Sequence, residues 1–223
     1  GLKRNLSADE IIDQYRFWNY FIQEKKLPGT ITNIVFMGMG EPLLNYKNVK
    51  DAINAILQNT EIGQTHITVS TIGIPVALEM LLEDKGWPKV LIAISLHSAD
   101  SAIRKKIVPS STENSIDAIA QWSKKYLKKF GNRSHYLTFE YIMLNGVNDS
   151  LLDAKKLAKL VTTTGDIKVN LIPYNQIESE FETSSDETIN AFFQYLKKHR
   201  VMVTIRKSLG DDISAACGQL ATK

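Results

Sequence analysis

The amino-acid sequence predicts an α/β fold on a parallel sheet, from three observations: short apolar runs, amphipathic helical stretches between them, and turn residues at the joins. About six strands alternate with helices, an order that favours parallel pairing through crossovers over hairpins. An open sheet and a barrel both satisfy it. The 223 residues suit a single core, and a composition of 43% hydrophobic and 23% charged residues describes an ordinary globular chain.

Taken in order, Ser7-Ala8-Asp9-Glu10 has capping-box spacing ahead of Ile11, Ile12, Tyr15, Trp18 and Ile22, which form an apolar stripe on one helical face. Pro28-Gly29 is expected to end that helix. Residues 33–37 form a nearly continuous apolar run of the kind buried on both faces. Helices are then expected over 47–58, 75–83, 115–129, 151–162 and 186–198, alternating with strands over 66–70, 89–95, 136–144, 168–172 and 201–206. No close internal repeat and no low-complexity tract interrupts the pattern, so 1–223 reads as one domain.

Charge and composition narrow the function classes. A net charge of +3 permits contact with phosphate but falls short of the density of a dedicated nucleic-acid binder. One cysteine cannot build an intramolecular disulfide, and no apolar run approaches the length of a membrane span. The expected setting is therefore a reducing cytoplasm with no membrane partner, and the residues before Ile11 carry no apolar signal core. His66, His97, His135 and His199 are scattered without metal-binding spacing, so no protein-built metal site is expected.

In a parallel barrel, chemistry collects where strands end at their carboxyl side. The first strand runs into Gly38-Met39-Gly40-Glu41-Pro42, the second into Ser70-Thr71-Ile72-Gly73, the third into Ser95-Leu96-His97 and the fifth into Pro173-Tyr174-Asn175. The first of these lacks a dinucleotide fingerprint and a phosphate-loop lysine. Its glycines allow close backbone approach, and the Glu41 carboxylate with adjacent backbone would suit an ammonium or hydroxyl, unless the segment is only a tight turn. Ser70 and Ser95 taken singly read as strand-end or cap hydroxyls, and His97 as a hydrogen-bonded structural residue. Cys217 lies in a stretch rich in small residues, where either a reactive or an inert buried thiol fits. Arg206 and Lys207 would favour its thiolate and Asp211 and Asp212 would oppose it.

Together, Gly38-Met39-Gly40-Glu41-Pro42-Leu43-Leu44-Asn45, Val69-Ser70-Thr71, Ile94-Ser95-Leu96-His97, Ile172-Pro173-Tyr174-Asn175 and Gly210-Asp211-Asp212 through Ala216-Cys217-Gly218-Gln219-Leu220 resemble the RlmN/Cfr family of radical S-adenosylmethionine (radical SAM) RNA methyltransferases. The likeness extends to Lys3-Arg4-Asn5-Leu6, Ile103-Arg104 and Ile107-Val108-Pro109. It implies a partial (β/α) TIM-like barrel of the radical SAM type, methylating C2 of an adenine in 23S rRNA and in tRNA. It also implies that Gly40, Glu41, Ser70, Ser95, Leu96, His97 and Asn175 contact S-adenosylmethionine, and that Cys217 carries the methyl group.

In such enzymes one S-adenosylmethionine alkylates the carrier thiolate. A second, cleaved by a reduced [4Fe-4S] cluster, gives the 5′-deoxyadenosyl radical that activates the methyl group for addition to the ring. The family's CxxxCxxC cluster ligands would precede Gly1, with the RNA-facing amino-terminal domain and a second cysteine, so this chain resembles a fragment of such an enzyme. Leu209 stands where an arginine is common. A cellular electron donor and a monomeric state are further expectations of the resemblance.

Two other readings follow from the residues: an inert or merely ligand-binding chain without a cluster, and a cofactor-free metabolic barrel. Glu140 and Lys168 are strand residues that the latter would enlist, but neither has an evident second partner, and core or rim placement is the simpler expectation. Lys124, Lys125, Lys128, Lys129 and Arg133 follow an amphipathic rhythm and read as a solvated helix face rather than an RNA contact.

Overall fold

The computed structural model describes residues 3–131, 137–176 and 180–206. Thirteen elements alternate from α1 (Ala8–Glu24), β1 (Ile34–Phe36), α2 (Tyr46–Asn59), β2 (Ile67–Thr71), α3 (Pro75–Glu83) and β3 (Leu91–Ser95) to α4 (Ser101–Ile107) and α5 (Ser115–Phe130). They continue through β4 (Leu137–Met143), α6 (Leu151–Thr164), β5 (Ile167–Pro173), α7 (Asp186–Lys198) and β6 (Met202–Ile205). The six strands pair only in parallel, in sequence order from β1 to β6. The expected α/β order is present. Between the ends of the sheet, Arg206 Nη1, just past β6, lies 3.4 Å from Met37 Sδ, just past β1.

Local chemistry sets the element ends. Ser7 caps α1 by accepting from the Glu10 N–H, while the Glu10 carboxylate accepts from the Ser7 N–H, as the spacing predicts. The helix stops at Glu24, ahead of the expected Pro28-Gly29 breaker, where Lys26 turns the backbone to φ +51°. No residue of α1 is buried, although it packs along α2, and Phe17, Trp18 and Tyr20 are exposed.

The first strand departs from expectation. It is three residues long and not buried on both faces, since Val35 is 54% exposed. It lies at the edge of the sheet, where its other side pairs with no strand among the described residues. Helix α4 was not expected either: seven residues are too few to display a 3.6-residue period, and its inward-facing side chain is an arginine.

Alternation along the strands sends one set of side chains to the helices and the other to the concave face. Val69, Ile92, Ile94, Phe139, Tyr141, Val169 and Leu171 are fully buried, within the core that also holds Trp122, Tyr126 and Phe192 of α5 and α7. The concave set mixes polar Ser70, Ser95, Glu140, Asn170 and Thr204 with apolar Ala93, Ile142 and Ile172. On α5, Lys125 pairs with Glu79 at 2.8 Å and Lys129 donates to the Leu82 carbonyl, while Tyr126 faces the core, as expected of a solvated helix face.

Candidate functional site

Parallel register sets Ser95 beside Glu140, Glu140 beside Asn170 and Asn170 beside Thr204. Register partners project to the same side of a sheet, so these four form one row across β3 to β6 on the concave face. Thr204 Oγ1 donates to Asn170 Oδ1, and Asn170 Nδ2 donates to Glu140 Oε1 at 3.0 Å. Glu140 is only 4% exposed, and its Oε2 has no hydrogen-bond partner among the described residues. Burial raises its carboxyl above the ordinary carboxylate value, against the pull of the Asn170 bond and the charges of Arg206 and Lys168.

Ser95 and Glu140 of this row line a cavity of about 290 Å³ at the carboxyl ends of the strands. Gly40, Ser70, Ser95, His97 and Asn175 line it, as do Glu140, Ile142, Ile172 and Arg206. A larger apolar groove of about 760 Å³, between α1 and β1, shares Phe36, Gly38, Gly40 and Pro42 with it. Gly40 adopts φ +95°, a conformation that L side chains rarely take, and so lets the loop after β1 turn over the cavity.

Five of the eight residues singled out in the sequence thus meet in one place. Two behave differently. The Glu41 carboxylate accepts from the Leu43 N–H (3.1 Å) and the Ile72 N–H (2.8 Å), which caps the short turn Pro42–Asn45 and ties the loop after β1 to the end of β2. These bonds make it a strut for the loop, and the residue also lines the larger groove beside α1. Leu96 is fully buried, its N–H given to the Glu140 carbonyl and its own carbonyl taken by Arg104. Cys217 lies outside the described residues, as do Lys207, Leu209, Asp211, Asp212, His135 and Arg133.

His97 is held in a strained backbone conformation, φ +58°. Its Nδ1 accepts from the Ile142 N–H at 3.2 Å, which requires a lone pair there and leaves Nε2 to carry the proton of the neutral ring. Desolvation first, and the Arg104 charge second, push the ring down to about 3. The ring is only partly covered by protein. The Ile142 N–H, which needs the Nδ1 lone pair, independently favours the neutral ring. His97 is both structural, as its isolation in sequence suggested, and part of the cavity wall.

Two buried residues build this frame, and sequence reasoning did not assign them to it. Arg104, 1% exposed on α4, donates to the carbonyls of Ser95 (2.7 Å), Leu96 and Ile72 (2.6 Å), so one guanidinium fastens the carboxyl ends of β2 and β3 together. Burial lowers it to about 10. Asn148, fully buried, donates to the carbonyls of His97 and Ile142, each at 2.7 Å, and accepts from the Leu144 N–H at 2.8 Å. The usable signal was a polar residue amid apolar neighbours, which Glu140 also gives within Leu137–Met143.

A parallel sheet open at one end, glycine-rich after its first strand and polar on its concave face, defines a class of α/β ligand-binding barrel. Residues 4–158 match the Radical SAM superfamily model, and the chain belongs to that superfamily.

Among its relatives, a probable dual-specificity RNA methyltransferase RlmN of Chlorobium phaeobacteroides is 42% identical over all of this chain and 61% of its own length. A ribosomal RNA large subunit methyltransferase N of Nitrosopumilus maritimus is 39% identical over all of this chain and 62% of its own. The chain therefore spans about three fifths of these curated relatives. A crystal structure of a radical SAM methyltransferase from Sphaerobacter thermophilus superposes with a TM-score of 0.89 at 36% identity, covering 98% of this chain and 63% of that one.

Members of the superfamily generally use S-adenosylmethionine with a [4Fe-4S] cluster. The donor sets here differ in fit. The cavity lining, with neutral hydroxyl and amide groups, the His97 imidazole and a buried carboxylate whose Oε2 lacks a partner among the described residues, suits a polar nucleoside ligand. The cluster's three thiolates are not supplied by a chain with one cysteine, and the described residues contain no cluster of metal-ligating side chains. Among the described residues no helix is long and apolar enough to cross a membrane.

Proposed function

We propose that this chain is the S-adenosylmethionine-binding barrel of an RNA methyltransferase that acts on C2 of an adenine in 23S rRNA and in tRNA, with Cys217 as methyl carrier. The observation that carries the reading is the convergence of Gly40, Ser70, Ser95, His97 and Asn175 on one cavity at the carboxyl ends of the strands. When bound there, S-adenosylmethionine supplies an electrophilic methyl group. The chain's own residues bind and orient it: Gly40 admits close backbone approach, neutral His97 offers an Nε2–H, and Ser70, Ser95 and Asn175 add neutral polar contacts. Glu41, Arg104 and Asn148 fix those groups from behind. In this reading Cys217 acts as a thiolate nucleophile toward the methyl group. The cytoplasmic setting, the two RNA substrates, the external electron donor and the monomeric state belong to the same proposal.

The experiment joins the chain to the cysteine-bearing segment of a relative and measures 2-methyladenosine in rRNA and tRNA by mass spectrometry. Product is expected from the unaltered sequence and none from Cys217→Ala; methylation that survives the substitution overturns the carrier role. The single cysteine favours a second reading for the 223-residue chain by itself, a ligand-binding module without radical chemistry. Four irons per chain after anaerobic reconstitution would remove that reading.

A further inference from the structure

Where β3 leaves the sheet, side chains finish its hydrogen-bond ladder to β4. The last register pair is Ser95 with Glu140, and the Glu140 carbonyl accepts from the Leu96 N–H. A parallel ladder continued by one step would give the Ile142 N–H to the Leu96 carbonyl and the Ser98 N–H to the Ile142 carbonyl. Neither bond forms. His97, at φ +58°, turns the chain away, the Ser98 N–H goes to the Leu96 carbonyl at 2.8 Å, and the Arg104 guanidinium donates to that same carbonyl.

Two side chains stand in for the missing strand. His97 Nδ1 accepts from the Ile142 N–H at 3.2 Å, and Asn148 Nδ2 donates to the Ile142 carbonyl at 2.7 Å. The same Nδ2 donates to the His97 carbonyl at 2.7 Å, so one amide joins the two backbones that the ladder no longer joins. Asn148 Oδ1 accepts from the Leu144 N–H at 2.8 Å, which fixes the orientation of the amide. The residue is fully buried. An aspartate there would keep the shape but lose both donors, setting a carboxylate against two carbonyl oxygens.

This arrangement decides where His97 carries its proton. A backbone N–H can only donate, so Nδ1 accepts and the proton of the neutral ring sits on Nε2, which has no partner among the described residues. We propose that Asn148 is a positioning residue for the ligand site: by holding Ile142 against His97 it keeps the ring in the Nε2–H tautomer, so the cavity presents this histidine as a donor and selects a ligand with an acceptor atom there. The assignment rests on the S-adenosylmethionine reading of the cavity and adds to it a residue outside the cavity lining that sets the polarity of the wall.

The test records the imidazole nitrogen signals of the isotope-labelled 223-residue chain at pH 7, with those of His97 assigned by their loss in His97→Phe, and titrates the chain with S-adenosylhomocysteine by calorimetry. The unaltered chain is expected to show a single Nε2–H pattern. Asn148→Asp should replace it with signals averaged between the two tautomers and weaken the ligand about tenfold, the effect of one net hydrogen bond. Asn148→Ser, which keeps one hydroxyl donor, carries the test if the aspartate variant does not fold. Val161→Ala, a buried truncation on α6, should lower the urea midpoint and move neither readout, which separates positioning from a general loss of stability.

A mixed or Nδ1–H pattern in the unaltered chain, or an unchanged pattern in the Asn148 variants, overturns the proposal. So does a changed pattern with unchanged affinity, which would detach the tautomer from ligand selection. If the unaltered chain binds no S-adenosylhomocysteine, it is the S-adenosylmethionine reading of the cavity that fails, while the imidazole signals still decide whether Asn148 holds the tautomer.

Discussion

The two faces of the sheet obey opposite rules. On the helix side, side chains such as Ile92, Phe139 and Val169 are fully buried and apolar; on the concave side, the intervening positions carry Ser95, Glu140, Asn170 and Thr204. The backbone is shared and the polarity is not, for Glu140 on the concave side is itself only 4% exposed. The helix-facing side packs the apolar core, and the other side gathers polar groups, of which Ser95 and Glu140 line the cavity.

The largest expected effect tests that division from the packed side. Phe139→Ala should cost about 3–5 kcal/mol in urea unfolding, because it leaves a cavity in a fully buried layer. A cost under about 1 kcal/mol would mean that the helix side is not where stability resides. Arg104→Leu probes the boundary between the faces: three carbonyls lose their donor, at about 2–4 kcal/mol, and the disturbance should spread into the cavity. The imidazole signal of His97 in nuclear magnetic resonance should shift with the substitution. An unmoved signal would show that the guanidinium supports the fold without shaping the cavity.

The smallest effect comes from the concave side. The unfolded His97 ring takes up a proton near 6.5 and the folded ring only near 3, so between those values the unfolded chain binds more protons. Its contribution to stability is whole above 6.5 and declines as pH falls through the window, by at most about 1.4 kcal/mol per pH unit. Urea midpoints at pH 7, 6 and 5 should show this decline, and His97→Phe should flatten it. A folded ring that titrates near its ordinary value would break the assignment of the neutral form.

Legibility in sequence follows the same division. The packed face announces itself through helical period and apolar runs. The α3 and α7 spans expected from Pro75 and Asp186 agree with the structure, and the Ser7 capping box holds α1 as its spacing predicts. The concave row does not, because Ser95, Glu140, Asn170 and Thr204 become neighbours only through the register of four strands, and a slip of one residue would send each to the other face. Family motifs brought Gly40, Ser70, Ser95, His97 and Asn175 into view, but Glu140 is a single letter inside an apolar strand, and Arg104 sits on a helix too short to show a period. The structural bonds of Glu41 were hidden for a related reason: its partners, Leu43 and Ile72, are backbone N–H groups, and every residue but proline has one.

The Glu140 carbonyl accepts from both the Leu96 and the His97 N–H groups, at 3.0 and 3.1 Å. Position 140 is thus a hinge pin for two walls, its main chain carrying the imidazole side and its side chain forming the opposite one. Backbone bonds from Leu96 and His97 to position 140 fix how the end of β3 sits beside β4, and both side chains reach the cavity from that fixed backbone. Loss of those two bonds would free the histidine-bearing end of β3 from β4, so the main chain at position 140 matters to the cavity independently of its carboxylate.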